Sequence, residues 1–291
     1  MSAAALEPTV VARTKSDFWP KFRRNRNAIA GSVIVAFVVL VAIFAQVISP
    51  YDFDETDILF TWAHPSSEHL LGTDALGRDI LSRLIVGAQV SLTVAVAVLA
   101  ITLTVGILLG MIAGYFGGKL DSMIMRVVDI IFAFPDIIFA ILLASALGPG
   151  ITTVIISLSV VWWPGIARLT RSLVLELRTE LYVDAAIASG TPPFTILLRH
   201  FLPNIVAPLI VRASIGVGFI IMAEATLSFL GIGVQEPRPS WGGMIRDGIV
   251  SLRTEPYLAL SASTALGLTI IGFNLFGDGL RDILDPRIKD R

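Results

Sequence analysis

Six long apolar segments, separated by polar stretches, dominate the pattern of residues along the chain. A helix needs about 20 mostly apolar residues to cross the hydrocarbon core of a bilayer. The first segment has 22 residues without a charge, which corresponds to about 33 Å of α-helix. The pattern predicts an all-α polytopic membrane protein with six transmembrane helices, at residues 28–49, 90–115, 127–147, 151–167, 205–230 and 257–276.

The composition agrees with the bilayer as the surrounding solvent. The 291 residues are 55% hydrophobic and 15% charged, whereas a soluble domain carries about 25% charged residues. There is no cysteine, which excludes disulfides, thiolate metal sites and a cysteine nucleophile.

With an even number of spans, both termini and every second loop lie on the same side of the membrane. Lysine and arginine are concentrated in these segments. Seventeen of the 22 fall there and five on the other side. Because loops rich in Lys and Arg stay in the cytoplasm, we expect both termini to be cytoplasmic. The basic N-terminal region precedes an apolar run too long for a secretory signal, so the first span is expected to remain uncleaved.

This orientation divides the chain into five parts. They are a cytoplasmic arm (1–27), the first transmembrane helix (28–49), an extracytoplasmic segment (50–88), a five-helix transmembrane core (89–276) that contains a cytoplasmic loop (172–204), and a cytoplasmic tail (277–291).

Three glycines in the second span, Gly106, Gly110 and Gly114, recur at four-residue spacing. This spacing puts them on one helix face, where another helix can approach closely. The contact is either packing within the chain or a seam between subunits.

A polar loop at 182–203 has its own turn chemistry. Gly190 suits the left-handed residue that follows a helix. Thr191 can cap the next helix, and Pro192 fits its first position, where no backbone N–H is needed. The loop is therefore predicted to form two short helices joined by a sharp turn.

The same loop resembles the cytoplasmic EAA loop of ABC-importer permeases. The match comprises Asp184-Ala185-Ala186, Gly190 four residues later, and Leu202-Pro203 after the turn. The resemblance implies that the loop docks in a groove on an ATPase subunit, with Asp184 and Gly190 as key positions and Pro192 at the turn. The chain departs from the pattern at three positions: Asp184 replaces the usual Glu, His200 replaces the usual Ile, and Pro193 follows Pro192.

Four further segments, in the same order along the chain, resemble the C-type subunit of the dipeptide/oligopeptide/nickel subgroup of these permeases. They are 17–26, 71–83, 223–235 with 239–242, and 277–287. The resemblance implies the type I ABC importer permease fold in a bacterial plasma (inner) membrane. It also implies a di- or oligopeptide as solute, with glutathione and nickel chelates left open.

The partners that this resemblance implies are a homologous second permease, two ATP-binding cassette subunits or domains, and an extracytoplasmic solute-binding protein. ATP and Mg²⁺ would be bound by the ATPases, and this chain is expected to bind no cofactor. A nucleic-acid partner is not expected.

Three ionisable residues lie well inside the apolar segments, where a charge costs about 2.5–3.5 kcal/mol on insertion scales. Glu224 and Asp136 are predicted to face the interior of a dimer, although Glu224 could instead pair with another span or subunit. Arg212 lies about two turns into its span and can extend its charge towards the cytoplasm.

Two further features concern the third apolar segment. Arg126 and Asp129, three residues apart, are expected to pair, and Pro135 is expected to kink the helix.

Catalytic and metal motifs are lacking. The chain has no G-x-x-x-x-G-K-[ST], G-x-S-x-G or H-E-x-x-H, and His64 and His69 have no acids at metal-loop spacing. We therefore expect a transport subunit without enzymatic activity or a metal site. The alternative is an ion-coupled secondary transporter or channel that uses Glu224 or Asp136; an intramembrane enzyme would need paired catalytic groups at one depth.

Overall fold

The computed structural model describes residues 18–284, and in this part of the chain the regular elements are helices, with one isolated β-bridge. The α-helices are α1 Phe18–Arg24, α2 Arg26–Ile43, α3 Ala45–Ile48, α4 Ile80–Phe116, α5 Gly118–Phe132, α6 Asp136–Leu147, α7 Ile151–Leu177, α8 Leu181–Ala188, α9 Pro193–Ile196, α10 Leu202–Phe229, α11 Trp241–Ile249 and α12 Tyr257–Leu284. A 3₁₀ turn lies at Ile58–Phe60 and a π turn at Leu197–Phe201.

Five helices are long and apolar enough to cross a membrane: α2, α4, α7, the continuous α9–α10 stretch, and α12. The pair α5–α6 makes a sixth span if the two are counted together. The all-α polytopic architecture predicted from the sequence is confirmed.

The third span is not the single kinked helix that was predicted. It is broken at 133–135, and the axes of α5 and α6 meet at 89°. Pro135 cannot donate to the helical ladder and pushes the residue before it out of the α region, so α6 starts afresh at Asp136.

Several span ends also differ from the prediction; α7, for example, runs to Leu177, ten residues past its predicted end. α4 begins at Ile80, ten residues before the predicted start, because the side chain of Asp79 accepts a hydrogen bond from the Ser82 N–H at 2.8 Å and caps the helix. The predicted extracytoplasmic segment (50–88) therefore ends inside a helix. α12 continues to Leu284, so the predicted tail (277–291) begins within it; residues 285–291 lie outside the described range.

The first residues of α2 lie next to the last residues of α12, at the same end of the bundle. Asn25 caps α2 by accepting from the Ala28 N–H, and its side-chain N–H donates to Asp282 at 3.1 Å. α10 runs antiparallel to α12, since Gly218 faces Asn274 while Gly277 faces Ile215. Both described termini therefore lie at one end of the bundle, together with the 181–203 segment. We call this the hairpin end.

Close packing of α4 on α7 forms the centre of the bundle. A Cβ atom on Gly106 would lie 2.6 Å from Ile166, one on Gly110 would lie 2.5 Å from the carbonyl oxygen of Ala167, and one on Gly114 would lie 2.8 Å from Val174. All three glycines thus serve a helix contact within the chain, and not a seam between subunits.

Ion pairs join the first loop to the loop after α10 at the opposite end. Arg78 donates to Asp74 at 2.7 Å and to Glu236 at 2.6 Å, and the buried Arg83 donates to Glu236 at 2.9 Å. Burial lowers the pKa of Arg78, but its hydrogen bonds and the charges of Glu236 and Asp74 outweigh this, so its pKa lies above the usual value. The start of α4 is thereby fixed to the α10–α11 connection.

Replacing Arg83 with methionine should destabilise the protein by about 2 kcal/mol, because its hydrogen bonds to Glu236 and to the Phe53 carbonyl are lost and Arg78 alone is left to pair with two carboxylates. Thermal unfolding in detergent measures the loss. The cost should be smaller in a Glu236→Gln background, and equal costs in both backgrounds would contradict the assignment of Glu236 as the partner.

Candidate functional site: the 181–203 hairpin and the polar groups of the bundle

The hairpin, residues 181–203, turns sharply at Gly190. Gly190 has φ +74° and donates its N–H to the Ile187 carbonyl at 2.9 Å, and the Thr191 N–H donates to the Ala186 carbonyl at 3.0 Å. These two bonds form a Schellman motif, in which the left-handed position favours glycine. The sharp turn predicted for Gly190 is present.

The second helix of the hairpin starts one residue later than expected. Pro192 is the N-cap residue and Pro193 takes the first helical position, so Thr191 makes no cap and Pro192 is not in the helix. The cause is the second proline, which keeps Pro192 extended at ψ 142°.

No loop separates the hairpin from α10. α9 passes through the π turn directly into Leu202 and Pro203, which form the first turn of α10. A continuous helical segment therefore links the hairpin to the interior of the bundle.

The inner face of the hairpin is anchored in the bundle. Val183, Ile196 and Phe201 are fully buried and share a core with Met111 of α4 and Val174 of α7. The ring of Phe201 also lies edge-to-face with Tyr115, at 5.9 Å between centroids. The hairpin thus rests on the ends of α4 and α7 as well as on α10.

The outer face of the hairpin has apolar side chains without a partner in the described chain. Leu181 is 85% exposed and Phe194 69% exposed, with Ile187 and Leu198 also exposed nearby. Asp184 is exposed in the first turn of α8. Exposed apolar side chains at the end of a helical bundle are typical of a surface that contacts another protein. We call these residues the outer face.

The sequence did not point to a docking role for Leu181 or Phe194. The available signal was their position: each is a large apolar residue next to a helix start within a polar loop.

Glu224 does not face a dimer interior, so that prediction is wrong; the stated alternative, pairing with another span of the chain, is what the structure shows. Its side chain is completely enclosed by this chain, where it accepts hydrogen bonds from Ser91 on α4 at 2.9 Å and from Ser228 at 2.8 Å. Ser228 in turn accepts from the Val234 N–H at 3.1 Å. The carboxyl group therefore joins α4, α10 and the loop after α10.

Glu224→Gln should retain near-wild-type transport, because an amide can still bond both serines. Glu224→Leu should lower the unfolding temperature, since each buried hydroxyl that loses its partner costs about 1–3 kcal/mol. Uptake assays and thermal unfolding of both variants check this. Loss of transport in a stable Gln variant would favour the ion-coupled alternative.

Two ion pairs join α5 to α7. Asp129 accepts from Arg168 at 2.6 Å, which replaces the predicted pair with Arg126. Asp121 accepts two hydrogen bonds from Arg171, at 2.5 and 2.6 Å. Both pairs lie between neighbouring helices, where side chains of opposite charge meet more directly than along one helix.

Asp136 and Arg212 line the same cavity, which is formed by residues of α4, α5, α6, α7 and α10, and both side chains are exposed in the isolated chain. Neither has an ion-pair or hydrogen-bond partner among residues 18–284. In that same range, no group of three or more His, Asp or Glu side chains is arranged to hold a metal ion.

Comparison with known proteins agrees with this architecture. The model of the family "Binding-protein-dependent transport system inner membrane component" matches residues 106–290, and that of the "N-terminal TM domain of oligopeptide transport permease C" matches 15–65. The chain belongs to the binding-protein-dependent inner membrane permease family, and it is a multi-pass permease subunit of a bacterial ABC importer.

Its relatives include proteins named glutathione transport system permease protein GsiD. The protein from Pectobacterium atrosepticum is 39% identical over 98% of this chain and 97% of its own length. Those from Escherichia coli O6:K15:H31 and Shigella boydii are each 41% identical over 98% of this chain and 94% of theirs. The resemblance to ABC permeases stated from the motifs is confirmed.

Proposed function

We propose that this chain forms one half of the translocation pathway of an importer for glutathione and short peptides. The observation that carries the proposal is the hairpin, because its inner face is anchored in the bundle, its outer face is apolar and exposed, and it continues directly into α10. The names of the relatives support a glutathione-like solute.

The outer face suits a groove on an ATPase subunit. Phe194 and Leu181 would enter the groove, and Asp184 lies beside them at the start of α8. Closure of the ATPases would then move the hairpin, and the continuous helix would carry this movement to α10. ATP and Mg²⁺ would be held by those partners, which would perform the hydrolysis.

This proposal fixes the orientation and the remaining partners. The hairpin end, where 17 of the 22 Lys and Arg residues fall by sequence, would face the cytoplasm. The opposite end, with the first loop and the α10–α11 connection, would receive the solute-binding protein. A homologous permease would supply the other half of the pathway, and a second ATPase would dock there.

Uptake by the complete complex in proteoliposomes tests the proposal. With the binding protein outside and labelled glutathione as solute, uptake should require ATP at the hairpin side and should persist when ion gradients are removed. Uptake that collapses with an ion gradient and continues without ATP would contradict it.

A further inference from the structure

The cavity shared by Asp136 and Arg212 has a volume of about 280 Å³. Its walls are otherwise apolar or small, apart from Thr102 and the indole of Trp162. The cavity volume is close to the lower limit of about 300 Å³ for small-molecule sites. A small volume is reasonable because a second subunit would complete the site.

Counted along their helices, both charged residues lie about half a hydrocarbon thickness from a helix end. α6 runs 12 residues from Asp136 to the opposite end of the bundle, which is about 18 Å. Arg212 is ten residues along α10 from Leu202, which is about 15 Å. Each distance is about half of the 30 Å thickness of a hydrocarbon core.

The two residues differ from the other ionisable groups that lie between the helices. Asp121, Asp129 and Glu224 each have partners within the chain. Asp136 and Arg212 have none in the described chain, and their charged atoms are not within 4.0 Å of each other although they line one cavity. A charge at this depth is costly, and one that no structural pair explains marks a solute pathway.

The surrounding backbone leaves space around the side chains of Arg212 and Asp136. A Cβ atom on Gly216 would lie 3.7 Å from one terminal nitrogen of Arg212, and one on Gly165 would lie 4.0 Å from the other. The guanidinium thus lies over two residues without side chains. Asp136 begins α6 directly after the break at 133–135, and non-helical backbone at membrane depth occurs where it lines a cavity.

We propose that Asp136 and Arg212 form a subsite for the free α-amino and α-carboxylate groups of the transported peptide. The guanidinium offers paired N–H donors that match a carboxylate, and the carboxylate of Asp136 accepts from an ammonium group. Because both residues line one cavity, a zwitterion bound there would have a partner for each of its charges. This inference rests on the proposed function and specifies how its solute is recognised.

The test measures how much of each of four probes the complete complex takes up. The probes are glutathione, Ala-Ala, N-acetyl-Ala-Ala and Ala-Ala amide. Arg212→Gln should reduce uptake of Ala-Ala about tenfold or more and that of the amide less than about twofold. Asp136→Asn should reduce uptake of Ala-Ala similarly and spare the N-acetyl probe. The binding protein is the same in every assay. Its preferences among the probes therefore cancel when the uptake of a probe by each variant is divided by the uptake of the same probe by the wild type.

Arg126→Gln is the matched control, since it removes an exposed arginine of α5 that does not line the cavity. It should leave the uptake of every probe unchanged. Equal reductions of free and blocked probes in the Asp136 and Arg212 variants, or no reduction, would overturn the subsite.

The same preparations separate this failure from failure of the proposed function. If the wild-type complex takes up glutathione with ATP but the variants do not distinguish the probes, only the subsite is wrong. If the wild-type complex shows no ATP-dependent uptake, the proposed function is wrong and the subsite is overturned with it.

Discussion

Replacing Phe194 with aspartate will abolish ATP-driven transport and leave the chain folded. Phe194 is 69% exposed at the start of α9, so its aromatic ring contributes little to the stability of this chain. A central aromatic side chain in a protein interface is worth about 2–4 kcal/mol, and the lower value corresponds to about a 30-fold loss of affinity. A buried carboxylate in place of the ring adds a desolvation cost.

The measurement is uptake by the reconstituted complex together with the amount of ATPase that remains bound after gel filtration. Leu59→Asp is the matched control, because Leu59 is also highly exposed but lies in the first loop at the opposite end. The control should keep its ATPase. If Phe194→Asp binds and couples the ATPase as wild type does, the outer face is not the docking surface.

Replacing Gly110 with valine will prevent the bundle from assembling. Its Cβ would lie 2.5 Å from the Ala167 carbonyl oxygen and 2.6 Å from the Cβ of Thr170. Both contacts involve atoms that cannot rotate away, so α4 and α7 would have to separate. Overpacking of a rigid core costs about 1–3 kcal/mol or more. The destabilisation by Gly110→Val is expected at or above the upper end of this range, because a backbone atom of α7 occupies the space that the new side chain needs.

The yield of monodisperse protein and its unfolding temperature report the effect. Gly267→Ala is the control, since a Cβ there would have no atom within 4 Å and alanine favours the helix. The control should equal or exceed wild type. A stable, well-folded Gly110→Val variant would show that the α4–α7 contact differs from the one described.

The features that depend on residues close in sequence were predictable. Long apolar runs identified the spans, and Gly190 followed by prolines identified the sharp turn of the hairpin. The one-residue error at the second helix arose because two adjacent prolines compete for its first position, and the second one takes it.

The features that depend on residues distant in sequence were not predictable. Glu224 was expected in the pathway because no oppositely charged residue lies near it in sequence. Its carboxylate is instead bonded by Ser228, one helical turn away, and by Ser91 of another helix, 133 residues away. Arg168 likewise reaches Asp129 across 39 residues. Which side of a helix faces which neighbour is set by the packing of the whole bundle, and an apolar run alone does not contain that information.

Co-purification is the most direct measurement of the central claim that the hairpin connects this permease to an ATPase. The tagged chain and its Phe194→Asp and Leu59→Asp variants would be extracted from the native membrane in mild detergent, and the bound proteins identified by mass spectrometry. We expect a second permease with all three chains, and P-loop ATPases with the wild type and Leu59→Asp only. Recovery of the wild-type chain alone or as a self-oligomer, without an ATPase, would contradict it.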